Sequence, residues 1–141
     1  GEITTFSALN VTIDAAIERT PNVTENVGGI LPGVGELADE FVVIGAHYDH
    51  LGYGAFGSRE GAAARGRLHP GADDNASGTS TMLRVAERLA TENAALPADQ
   101  PRRSVLFLGF SAEESGLNGA RYYVRNPIVP AEQHALMINL D

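Results

Sequence analysis

The sequence predicts an α/β fold of three layers, α/β/α, around a mixed, mostly parallel sheet. Three features carry that expectation. Residues 41–46 (Phe-Val-Val-Ile-Gly-Ala) and 104–110 (Ser-Val-Leu-Phe-Leu-Gly-Phe) are apolar nearly throughout, as strands covered on both faces are. Helix-period segments follow them, and strands alternating with helices build layered α/β domains. A chain of 141 residues fits one domain, a length at which about two-thirds of the unfolded surface is buried.

Taken in order, residues 8–18 alternate, with Leu9, Val11 and Ile13 on one face, and read as a strand. A second short strand fits Asn26–Leu31 and closes at the Pro32-Gly33 turn. The buried strand at 41–46 comes next, then a long Gly/Ala/Arg loop from about 51 to 71. Residues 76–92 place Met82, Val85, Ala86, Leu89 and Ala90 on one side of a helix. Pro97 and Pro101 bracket a linker to the strand at 104–110. A short helix fits 117–125, and Pro127 and Pro130 interrupt the chain before a last strand at 135–140.

Composition narrows the function classes. A hydrophobic content of 43% is that of a packed domain. No apolar run approaches the ~20 residues of a membrane span, and no basic-then-apolar leader opens at Gly1, so a signal peptide is not expected in this sequence. Cysteine is absent, which excludes disulfides and thiolate metal sites but leaves the redox compartment open. The formal charge is −8 and all ten basic residues are arginine, which disfavours nucleic acid as a partner. Two divalent cations would halve that charge, although a solvated acidic surface is the commoner reason for it.

The candidate chemistry lies at strand ends. His47 follows the first buried strand, Glu113 and Glu114 follow the second, Asp141 follows the last, and Asp74 precedes the helix after the long loop. In open α/β sheets the crevice at the carboxyl ends of strands is where ligands bind. Crowded carboxylates need shared protons or cations, and His, Asp and Glu suit zinc and similar divalent ions. Together these features point to a metal-dependent hydrolase. His47 and Asp49 are two apart in a segment read as extended, so Asp49 is placed to orient the imidazole. Taken alone, a His-x-Asp is better read as a surface pair. For an isolated Asp-Asp-Asn, capping of the helix by Asp73 or Asp74 is the better reading. The small residues 76–78 let the backbone approach a ligand. Adjacent Glu113 and Glu114 diverge, so one can ligate while the other serves as general base.

Other patterns carry less. Gly109-Phe110-Ser111-Ala112-Glu113 lacks the final glycine of a nucleophile elbow, and Gly33-Val34-Gly35 lacks the third glycine of a dinucleotide site. By base rates His50, His69 and His134 are expected to be structural or solvent-facing, His69 the least securely because it lies four residues before Asp73.

As an ordered set the motifs resemble the zinc aminopeptidase/glutamate carboxypeptidase family, the aminopeptidase Y-like co-catalytic metallopeptidases. The pieces are Asn26-Val-Gly28 with Leu31-Pro-Gly33, Val43-Ile-Gly-Ala-His-Tyr-Asp-His50 and Gly71-Ala-Asp-Asp-Asn-Ala-Ser-Gly78. Phe110-Ser-Ala-Glu-Glu-Ser-Gly-Leu117, Gly119-Ala-Arg-Tyr-Tyr-Val124 and Met137-Ile-Asn-Leu-Asp141 complete it. The resemblance implies a phosphorylase/hydrolase-like zinc peptidase fold, two zinc ions per complete domain and a peptide substrate. Asp74 then bridges, His47 and Asp141 complete one site, and Glu114 serves the other. Glu113 is the implied general base and Asp49 the partner of His47. A cis peptide bond between Asp74 and Asn75 is also implied.

The family's second metal takes a further histidine well downstream, so residues 1–141 resemble the N-terminal part of the catalytic domain, with the remainder expected beyond residue 141. On this reading the chain alone binds metal poorly and has little or no peptidase activity. Aminopeptidase action is the leading expectation. A carboxypeptidase for acidic C-termini, a glutaminyl cyclase-like enzyme and a non-catalytic receptor-like ectodomain of the same fold are the alternatives. Relatives are often secreted or periplasmic, which is the expected location.

Overall fold

The computed structural model describes residues 12–18, 21–54 and 57–141. Among these residues four strands form one sheet: β1 (Val27–Leu31), β2 (Phe41–His47), β3 (Ser104–Phe110) and β4 (His134–Asn139), in the spatial order β1-β3-β2-β4. β2 runs parallel to β3, with Phe41 opposite Ser104 and His47 opposite Phe110. It also runs parallel to β4, with Gly45 opposite Asn139. Only β1 is antiparallel, pairing Val27 with Gly109 on the outer side of β3. The sheet is therefore mixed and mostly parallel, and the carboxyl ends of β2, β3 and β4 lie together.

Side-chain alternation along the two central strands explains why their sequences are apolar on both faces. Phe41, Val43, Leu106, Leu108 and Phe110 form one buried cluster, which takes in Tyr123 of helix α2 (Asn118–Arg125). Ile44 and Ala46 face the other way and pack with Met82 of helix α1 (Gly78–Ala95), with Val85, Leu89 and Leu140 around them. The helical face read from the sequence is thus the face that covers β2. Among the described residues no helix is long and apolar enough to cross a membrane.

Three expectations need correction. Residues 8–11 of the first expected strand lie outside the described residues, and 12–18 have no regular structure. Ile13 and Ile17 are 81% and 88% exposed, so the apolar face of that alternation packs against nothing described. Helix α1 starts and ends later than its apolar pattern, because Ala72–Ser77 form an irregular turn and the alanines of the last helical turn, Ala94 and Ala95, are exposed rather than part of the packed face. The long loop contains a short 3-10 turn at Gly61–Ala64.

Candidate active site

The turn before α1 is built around Asn75. Its side chain is 4% exposed; Oδ1 accepts from the Gly78 N–H at 2.9 Å and Nδ2 donates to the His47 carbonyl at 3.3 Å. Asn75, rather than Asp73 or Asp74, therefore caps the helix, and it ties the helix start to the end of β2. Thr79 Oγ1 donates to the same carbonyl at 2.8 Å. The Asp74–Asn75 peptide bond is cis. Asp74 is freed from capping and projects into the crevice.

His47, 3% exposed, holds the other wall. Its Nδ1 lies 3.0 Å from the main-chain oxygen of Asp49, an atom that can only accept, so Nδ1 carries the proton. Nε2 is left with its lone pair, 3.0 Å from Asp74 Oδ1. An imidazole lone pair and a carboxylate oxygen repel unless a proton or a cation stands between them. Asp74 Oδ2 faces a second imidazole, with His50 Nδ1 at 3.9 Å. One carboxylate thus lies between two histidines, an oxygen toward each.

His50, which base rates assign to a structural role, converges on this point. Its Nδ1 is 2.5 Å from Glu114 Oε1, yet the two are not aligned as a hydrogen bond, and both atoms are buried without a partner. His50, Asp74 and Glu114 each offer a ligand atom within 4.8 Å of the others. Buried, unpaired polar atoms are costly, and this donor set suits a divalent cation such as zinc. The sequence reading gave His50 a structural role, and the structure places it beside Asp74 and Glu114 in the crevice. Its place in the same short post-strand run as His47 and Asp49 was the available signal.

Glu113 turns the other way. It lines a cavity of about 270 Å³ with His47, Phe110, Leu117, Met137 and Asp141. Burial pushes its carboxyl above the usual carboxylate range; the His47 imidazole opposes this, and Glu114, Asp74 and Asp141 push further upward. The residues singled out at four separate stretches of sequence are therefore electrostatic neighbours. Asp141 reaches the crevice from the end of β4, where Leu140 N–H still bonds to the Gly45 carbonyl at 2.8 Å.

Asp49 differs from its expected geometry. β2 ends at His47, so Asp49 is not on an extended strand. Its carboxylate lies 3.7 Å from His47 Nδ1, outside hydrogen-bond range, and instead accepts from the Glu113 N–H at 3.1 Å. The orienting contact to His47 comes from the Asp49 carbonyl. Away from the crevice, His134 bonds to Tyr123 Oη at 2.7 Å and does structural work. A larger hollow of about 710 Å³ lies between β1 and α2, lined by Thr24, Asn26, Ser111 and Tyr122 rather than by the acidic cluster.

Residues 26–141 match the model of peptidase family M28. The chain is 32% identical over 105 residues to aminopeptidase YwaD of Bacillus subtilis, covering 74% of this chain and 18% of that protein. It is 30% identical over 116 residues to a probable leucine aminopeptidase of Arthroderma otae, covering 82% of this chain and 29% of the relative. A probable glutamate carboxypeptidase, LAMP1 of Arabidopsis thaliana, is 30% identical over 118 residues, or 83% of this chain and 14% of the relative. The chain thus spans less than a third of the length of each of these relatives. With the ordered motifs, the mixed sheet and the histidine–carboxylate crevice at its strand ends, the family match leaves one conclusion: this chain belongs to peptidase family M28.

Proposed function

We propose that the chain is part of a two-zinc exopeptidase that removes N-terminal amino acids from peptides. The observation that carries the reading is Asp74, set between the imidazoles of His47 and His50 with an oxygen toward each. His47, Asp74 and Asp141 would hold one ion, and Asp74 with Glu114 the other. Bound zinc would supply Lewis-acid activation of water and polarisation of the scissile carbonyl.

The residues of this chain do the rest. The Glu113 carboxylate takes the proton of the attacking water and returns it to the departing amine, a task suited to a carboxyl group raised toward the working pH. The Glu113 N–H bond to Asp49 fixes the loop that presents it. The acidic crevice favours a cationic α-amino group, which selects a free substrate N-terminus. The complete domain, on this reading, has three layers and continues beyond residue 141, and residues 1–141 alone have little or no activity.

The similarity to a probable glutamate carboxypeptidase keeps a C-terminal exopeptidase as the second reading. It would need a cationic pocket for an acidic side chain. Of the loop arginines, Arg67 is exposed and engaged by Glu60 at 2.5 Å, which favours the aminopeptidase. Chromogenic aminoacyl anilides, free and N-acetylated, separate these outcomes. Assayed on the full-length protein that contains this segment, the reading expects release from the free amines only, abolished by a chelator and restored by zinc. No release, or release indifferent to chelation, contradicts it.

A further inference from the structure

We propose that Arg65, on the long loop between β2 and α1, is a specificity-determining residue: its guanidinium binds a carboxylate of the substrate downstream of the scissile bond. The favoured substrates are then short peptides with a free C-terminus, or peptides with an acidic side chain at the same distance. This rests on the aminopeptidase reading given above and names a substrate class within it.

The loop is folded back on itself and set against the crevice. Its Gly66 N–H donates to the Tyr53 carbonyl at 2.9 Å and its His69 N–H to the Gly52 carbonyl at 2.7 Å. Gly54 lies between the two arms with φ 64°. A Cβ there would sit 2.6 Å from the Ala64 carbonyl and 2.7 Å from His69 Nε2, so glycine is what lets the arms close. The Ala64 carbonyl belongs to the peptide unit that leads into Arg65, which places Arg65 beside His69. The His69 ring in turn meets His50 edge-on, with centroids 6.4 Å apart, and His50 Nδ1 lies 2.5 Å from Glu114 Oε1. From the crevice carboxylates to Arg65 is thus roughly three residues of extended peptide.

Charge supplies the second argument. Residues 51–71 carry Arg59, Arg65 and Arg67 against one acid, Glu60, in a chain of formal charge −8. Glu60 engages Arg67. Among the described residues Arg65 is exposed and has no carboxylate partner. The crevice beside this loop holds Asp74, Glu113, Glu114 and Asp141, which attract a substrate's α-ammonium group and repel its carboxylates. A short peptide is positive at one end and negative at the other, and the acidic crevice with a cationic loop beside it has the matching polarity. Arginine suits the far end because its planar fork takes a carboxylate through two parallel hydrogen bonds.

The test is made on the full-length protein that contains this segment, wild type and Arg65→Ala, with three substrates. An aminoacyl anilide, which has no carboxylate, reports the underlying aminopeptidase activity. A tripeptide with a free or an amidated C-terminus forms one arm, and a tetrapeptide amide with glutamate or glutamine in third place the other. In the wild type, kcat/KM is expected to favour the carboxylate by about 5-fold, the worth of one exposed charge pair, and added salt to erode the preference. In Arg65→Ala the preference is expected to vanish while anilide hydrolysis is unchanged. A preference in one arm alone identifies the carboxylate as C-terminal or side-chain. Equal rates in both arms of the wild type overturn the proposal, as does a preference that survives in Arg65→Ala. If the wild type releases nothing from the anilide, the aminopeptidase reading falls and this inference falls with it. Anilide release without a carboxylate preference removes the inference alone.

Discussion

The main-chain N–H of Glu113 donates to Asp49 Oδ1 at 3.1 Å, so the loop after β3 is fastened to the loop after β2 across the crevice. The same residue, Asp49, uses its carbonyl to hold the His47 ring at 3.0 Å. Backbone and side chain of one residue thus position two different groups of the site. Asp49→Ala removes only the side-chain contact. In the full-length protein that contains this segment it is expected to lower kcat/KM by about 10–100-fold while zinc affinity on the His47 side stays near that of the parent. Calorimetric zinc titration beside steady-state kinetics checks this, and equal loss of both would assign the carboxylate a direct role at His47.

Glu113→Gln keeps the shape of the side chain but cannot accept a proton. In the full-length protein that contains this segment, turnover is expected to fall by about 10²–10⁴-fold, with zinc content and KM little changed. Elemental analysis and steady-state kinetics of the variant decide it. A variant that loses its metal would make Glu113 a ligand instead.

Asn75→Ala strips the cap from α1 and leaves the Gly78 N–H without its acceptor. Exposing no new partner at a 4% accessible position costs about 1–3 kcal/mol. Urea unfolding should show that loss as a lower midpoint at unchanged slope.

Gly78→Ala sets two effects against each other. Alanine is the better helix former by about 1 kcal/mol. Its Cβ, however, would lie 2.2 Å from the Leu140 carbonyl and 2.3 Å from Asn75 Oδ1. Overpacking of that kind costs about 1–3 kcal/mol, so net destabilisation is expected, together with weaker zinc binding as Leu140 and Asp141 are pushed away. A more stable variant would contradict the packing described.

Tyr123 carries an alkaline dependence. Burial raises its phenol above the ordinary value of 10.0. The folded state therefore keeps the proton longer than the unfolded chain, and stability present below that value is lost as pH rises through the folded pKa. Tyr123→Phe loses the bond to His134 and about 1 kcal/mol at neutral pH. It is expected to unfold less steeply than the parent above pH about 10. Denaturation midpoints measured across that range give the comparison.

Much of this architecture was legible because β2 and β3 are buried on both faces, and an unbroken apolar run such as Val42-Val43-Ile44 has few other uses. Their termini then located His47, Glu113 and Glu114 at one sheet edge. The expected strand at 8–18 fails over its described part, because residues 12–18 have no regular structure and Ile13 and Ile17 stay exposed instead of packing on the sheet. Asp49 was read along a strand that in fact stops at His47, so its side chain took a different partner. His50 was read as structural because an isolated histidine is seldom a ligand, yet it lies beside Asp74 and Glu114. Its convergence on Glu114 depends on Gly71 and His69 pressing on the ring from distant stretches of chain. The capping role passed to Asn75 because the turn at Ala72–Ser77 departs from helical geometry at Asp74 and Asn75.

Anomalous diffraction at the zinc absorption edge from zinc-loaded crystals tests the central claim most directly. The account predicts two peaks that share the carboxylate of Asp74, one beside His47 and Asp141 and the other beside Glu114. A single peak remote from Asp74, or none in protein that hydrolyses peptides, would contradict it.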